Sequence, residues 1–119
     1  MNKRLLAILA GCACQLLATA ANAGPYDGQW NITFVTQRGD CSPTYYYTVN
    51  IENGVITQAS VPNFRGGVTG AGAVRASVTM QDQRATGSGK LAGASGRGTW
   101  NGFSGTQRCA GVWTAKRAW

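Results

Sequence analysis

Gly28-Gln29-Trp30, Gly98-Thr99-Trp100 and Gly111-Val112-Trp113 are three copies of one short pattern, and their reading decides the fold. In an extended strand, residues two apart point to the same side, so each glycine leaves bare backbone beside its own indole. A large flat ring then lies close against the neighbouring strand. Three rings facing one interior place the first and last strands in a common core, which a closed antiparallel sheet requires.

Working outward from these copies, the alternation is regular. Trp30, Ile32 and Phe34 share one face of a first strand, and Tyr45, Tyr47, Val49 and Ile51 share one face of a second. Between them, residues 37–43 carry the turn formers Gly39, Asp40, Ser42 and Pro43. Asn53-Gly54 between β-branched runs marks a tight hairpin into a third strand from Val55 to Val61. Phe64, Gly66 and Val68 suit the inner side of a weaker fourth strand, and Val74, Ala76, Val78 and Met80 that of a fifth. In the sixth, Arg84, Thr86, Ser88 and Lys90 alternate with Ala85, Gly87, Gly89 and Leu91, an almost bare inner face that makes room for bulky rings opposite. After Gly93 to Gly96 comes a seventh strand with Gly98 and Trp100. A loop through Gly102 and Gly105 leads to an eighth with Cys109, Gly111, Trp113 and Ala115. About eight short strands without a helical period predict an all-β fold, a small antiparallel up-and-down barrel, with a β-sandwich as the alternative.

The N-terminus has a different character. Met1 to Arg4 is a short basic start, an apolar run begins at Leu5, and Ala21-Asn22-Ala23 is a small-x-small cleavage site, the pattern of a secretory signal peptide over residues 1–23. Residues 24–119 then form a single β domain in the periplasm or outside the cell. Leu9-Ala10-Gly11-Cys12 also matches a lipobox, so lipid anchoring at Cys12 is the alternative localisation. Cleavage leaves Cys41 and Cys109 as the remaining cysteines, in a compartment where thiols oxidise. If strand one pairs antiparallel with strand eight, the end of the first meets the start of the last and the two sulfurs come together. Such a bond contributes on the order of 4 kcal/mol by loop-closure entropy, a large share for so small a core.

Composition narrows the chemistry. The chain has no histidine, which removes Ser-His-Asp and Cys-His nucleophile systems and the usual zinc sites. Asp27, Asp40, Glu52 and Asp82 are the only carboxylic side chains, all predicted at turns or strand ends, and nothing nominates a catalytic pair. The expectation is a nonenzymatic protein without cofactor or metal. Gly87-Ser88-Gly89-Lys90 lacks the spacing and the helix of a phosphate loop and reads as strand glycines. Arg38-Gly39-Asp40 matches a cell-adhesion tripeptide but reads as a plain glycine turn with solvated charges.

Two constellations carry binding hypotheses. Trp30, Phe34, Tyr45, Tyr47, Trp100 and Trp113 either line a ligand pocket at the barrel mouth, with tyrosine hydroxyls orienting a small guest, or fill the interior. Arg75, Arg84, Lys90 and Arg97 fall with Arg108, Lys116 and Arg117 on faces or ends predicted to be exposed. Without the leader, nine basic residues face four acidic ones. A positive exterior attracts anionic polysaccharide, lipid headgroups or an acidic protein; the plain alternative is a soluble surface with blunted strand edges. Export makes nucleic acid a poor partner, and no transmembrane helix is expected. The leading expectation is an exported binding protein for a small ligand at the mouth or an envelope or extracellular protein at the loops. An envelope protein using its basic exterior is second.

Gly28-x-Trp30 on a first strand resembles the early Gly-x-Trp of avidin-type and lipocalin-like barrels. Across the chain, Tyr26-Asp27-Gly28-x-Trp30, Gly39-x-Cys41, Tyr47-x-Val49-x-Ile51, Gly87-x-Gly89-x-Leu91, Gly98-x-Trp100 and Trp113-x-Ala115-x-Arg117 resemble a group of small exported alphaproteobacterial proteins with no assigned function. That resemblance implies export and an all-β fold, and it implies no activity.

Overall fold

A computed structural model describes residues 24–118. The leader and the lipobox at Cys12 lie outside the described residues. Eight strands follow one another: β1 Gly28–Arg38, β2 Thr44–Glu52, β3 Val55–Thr57, β4 Phe64–Val68, β5 Ala73–Met80, β6 Gln83–Ala92, β7 Ser95–Ser104 and β8 Gln107–Ala118. Each pairs antiparallel with its neighbour in sequence, and β1 pairs with β8, so the sheet closes into an up-and-down barrel. Closure leaves no free edge between the ends of the chain, whereas a two-sheet sandwich would expose several.

The alternation places Trp30, Val49, Ile51, Ile56, Val74, Leu91, Trp113 and Ala115 in one buried cluster. Asn53 and Gly54 both take positive φ, 53° and 78°, the conformation that lets a two-residue turn follow the twist of its strands. At the far end of β1 the register with β8 shifts between Thr36 and Arg38, a bulge that bends the chain back across the barrel end. Gly39 follows at φ 93°, packed so closely on β8 that a Cβ there would sit 2.9 Å from Cys109 Cα. Cys41 thereby reaches Cys109 with 6.2 Å between their Cα atoms, and the disulfide joins positions 68 residues apart.

The three indoles share the interior, but their glycines act differently from the same-strand reading. β7 and β8 pair so that Gly98 faces Trp113 and Trp100 faces Gly111. Each motif therefore clears the wall for the other motif's ring. A Cβ at Gly98 would stand 2.6 Å from the Trp113 indole, and one at Gly111 would stand 3.0 Å from Trp100 Nε1. Through these gaps Trp113 Nε1 donates to Ser88 O at 3.1 Å and Trp100 Nε1 to Val35 O at 3.2 Å. Gly28 has no such partner: a Cβ there meets nothing within 4 Å.

Several boundaries differ from expectation: β1 runs on through Gln37 and Arg38, and β7 begins at Ser95. β3 stops at Thr57 instead of reaching Val61, because the Gln58 side chain accepts hydrogen bonds from Ser60 N–H and Oγ at 2.7 Å each and turns the chain. Gly102 belongs to β7, paired with Cys109, and the turn is confined to Gly105 and Thr106.

Candidate functional site

The barrel has one sealed end and one open end, and local sequence explains both. At the sealed end, residues 24–27 cross the floor. Asp27 accepts backbone N–H bonds from Asn53 at 3.0 Å, Gly24 at 3.1 Å and Gly54 at 3.4 Å, tying the N-terminal segment to the β2–β3 turn. The Asn53 N–H above all, then those of Gly24 and Gly54 and the positive charge of Arg117, hold the Asp27 carboxyl below its ordinary value of 3.8 against an opposing desolvation. Trp30 Nε1 donates to Tyr26 O at 2.9 Å. The Arg117 guanidinium donates to Pro25 O at 2.8 Å and lies 5.0 Å from the Trp30 ring centroid, so a cation on the same face of the sheet caps the innermost indole at the sealed end.

The other half of the interior is hollow. A cavity of about 580 Å³ rises from a floor of Trp30, Ile51, Ile56, Leu91 and Trp113 to an opening between the β1–β2 loop and the β5–β6 and β7–β8 turns. Its origin lies in unequal side-chain size. The bulky rings of Phe34, Tyr45 and Tyr47 line it from β1 and β2, and the Trp100 ring reaches toward them over Gly111, while Ala76, Ala85, Gly87 and Gly102 line it with small side chains from β5, β6 and β7. A small wall opposite a large one leaves space when the rings do not reach across. Tyr47, an inward-facing residue of β2, is 42% exposed, whereas Trp30 on the floor is 0% exposed.

The rings of the mouth brace one another edge to face. Phe34 lies 5.9 Å from Tyr47 and 6.4 Å from Trp100, and Tyr45 lies 6.5 Å from Trp100, centroid to centroid. The Tyr45 hydroxyl accepts the Ser42 N–H at 3.1 Å, which fixes the loop that carries Cys41 against the ring cluster. Polar groups gather at the rim: Gln107 Nε2 donates to Asp40 Oδ2 at 3.5 Å and Gln83 Nε2 to Ser104 Oγ at 3.0 Å. Below the rim, among the described residues, no polar or charged side chain is buried.

All six aromatic candidates line this one cavity, with Trp30 and Trp113 in the floor and Phe34, Tyr45, Tyr47 and Trp100 in the upper wall. The rings fill the sealed half of the interior and leave the open half accessible. The four basic candidates do not converge in the same way. Arg84 stands at the rim, opposite Thr79 and Phe103, while Arg75, Lys90 and Arg97 lie on the outer face further from the opening. Arg65, outside the candidate set, lies close to Arg75 across a shallow outer groove. Its signal was the alternation of β4, where inward Phe64, Gly66 and Val68 leave Arg65 and Gly67 facing out. The rim glutamines Gln83 and Gln107 carried no sequence signal, because a strand-end glutamine looks the same whether it faces a mouth or water.

Among the described residues, no group of three or more His, Cys, Asp or Glu is placed to hold a metal, and no helix is long and apolar enough to cross a membrane. Comparison with protein-family models, curated proteins and solved structures finds no match.

Proposed function

We propose that this chain is an exported, noncatalytic binding protein that takes a small apolar guest into the barrel through its open end. The observation that carries the reading is the cavity: its volume falls in the range of small-molecule sites, roughly 300–1,000 Å³, and its inner walls are hydrocarbon and aromatic. An apolar guest there displaces water from surface that offers it no hydrogen bonds, which is favourable in proportion to the area covered. The polar rim suits a guest whose outer end is hydrophilic. Rings already braced against one another need little reordering on binding, which lowers the entropic cost. The disulfide supports an oxidising compartment, in keeping with export.

The test uses N-phenyl-1-naphthylamine, an uncharged fluorophore that brightens in apolar surroundings. Titration should give a saturable signal with one site per chain. Ala85→Phe, which places a ring into the small wall, should weaken binding by more than about tenfold, the loss of roughly 1.4 kcal/mol of contact. An unsaturable signal, or an Ala85→Phe protein with native circular dichroism that binds equally well, would defeat the proposal.

A further inference from the structure

We infer that the outer wall of β4 to β8 is a second binding site, for a linear polysaccharide bearing carboxylate or sulfate groups. The inference stands on the opposite side of the wall from the cavity and does not depend on what the cavity holds.

The registers place one basic residue on the outer face of each of five consecutive strands, in a single oblique line. Arg65 on β4 faces Ser77, two residues along β5 from Arg75. Arg75 faces Ser88, two residues along β6 from Lys90. Lys90 faces Arg97 on β7, and Arg97 lies two residues from Ser95, which faces Lys116 on β8. Three of the four steps are oblique, about 8 Å each from strand spacing and rise per residue, and the Lys90–Arg97 step is the shorter one between direct partners, so the charges form a continuous row along the wall. All five side chains are exposed.

No acid interrupts that row. Asp27, Asp40, Glu52 and Asp82, all the acidic residues of the chain, lie on β2, in the turns or at the sealed end. Among the described residues none of the five basic side chains has a hydrogen-bond or ion-pair partner. Lys90 and Arg97 are direct cross-strand partners, an arrangement of like charges that costs stability in the free protein. A bound polyanion relieves that repulsion.

Between the charges the wall is built for sugar hydroxyls. Ser77, Thr86, Ser88, Thr99 and Asn101 line the groove beside Arg65 and Arg75, and each can both donate and accept. Gly67, facing out opposite Arg75, leaves the groove open: a Cβ there has its nearest neighbour 3.5 Å away. Arginine forks match carboxylate and sulfate bidentately. The most exposed large apolar side chains, Val35, Tyr46, Tyr47, Val55, Met80 and Phe103, all lie outside this groove, so it lacks the apolar wedge of a membrane-inserting face.

The experiment measures binding of the mature protein to heparin and to polygalacturonate at about 0.15 M salt, where long-range attraction is screened beyond about 8 Å. Arg75→Ala with Lys90→Ala should weaken binding about tenfold or more and lower the slope of log affinity against log salt by about two. Arg84→Ala with Arg108→Ala removes the same net charge from outside the row and should weaken it less than about threefold. Equal losses in the two pairs, absence of binding to both polymers, or tighter binding to phosphatidylglycerol vesicles or duplex DNA would overturn the assignment. Thermal unfolding of each variant separates loss of the site from loss of the fold.

Discussion

Gly87→Ala and Gly89→Ala change two positions on one strand and one face of β6, and the structure predicts opposite outcomes. At Gly87 an added Cβ meets Thr99 O at 3.4 Å and Trp100 and Trp113 atoms at 3.8 Å, ordinary contact distances at the edge of the cavity. Alanine there restricts the unfolded chain, a gain of about 0.4–1 kcal/mol. At Gly89 the Cβ would lie 2.6 Å from Gly98 Cα and would overlap both the Trp113 ring and the Arg97 carbonyl. The ring must move, which costs about 1–3 kcal/mol in overpacking. Displacement also breaks the Trp113 bond to Ser88 O, worth about 1 kcal/mol. The two variants should therefore differ by about 2–5 kcal/mol. In urea, with a slope of about 1 kcal/mol/M for a chain of this size, their midpoints should separate by about 2 M or more. Coincident midpoints, or a Gly87→Ala protein less stable than Gly89→Ala, would refute the account of indoles seated in glycine gaps.

Other consequences are as direct. Replacing Cys41 and Cys109 by serine should lower unfolding free energy by about 4 kcal/mol, read as a drop in urea midpoint, since the bond closes a loop of 68 positions. The folded protein holds the Asp27 carboxyl below 3.8, so the folded state binds this proton less well than the unfolded chain. Its stabilisation is complete above pH 3.8 and disappears as pH falls through the lower folded value; Asp27→Asn should flatten that part of the acid-unfolding curve. Trp100→Phe keeps a ring in the upper wall but removes the donor to Val35 O, so it should destabilise by about 1 kcal/mol while retaining N-phenyl-1-naphthylamine binding.

The closed topology was legible because two independent signals agree: paired alternation in the first and last strands, and cysteines at the positions that antiparallel pairing of those strands brings together. The Gly-x-Trp copies pointed to the right core through the wrong neighbour. Spacing along one strand says which residues share a face, but the register between β7 and β8, which sets Gly98 under Trp113, is a relation between strands. The same limit left open whether the interior was filled or hollow. Ala85, Gly87 and Gly102 are small residues in sequence, and only their gathering on one side of the interior, with the Phe34, Tyr45 and Tyr47 rings coming from β1 and β2, turns smallness into volume. The early end of β3 was hidden for a local reason, because glutamine at position 58 is not a turn former and acts as one through its own side chain. Arg75, Lys90 and Arg97 were visible as exposed charges, yet their alignment with Arg65 and Lys116 needed four strand registers at once.

Gly24 to Asp27 and Ala118 meet at the sealed floor. A tether attached before the first or after the last of these residues therefore hangs from the base of the cup. Anchored to a lipid surface or to a bead by either terminus, the molecule faces its opening outward, so immobilised protein should capture a guest as freely as protein in solution.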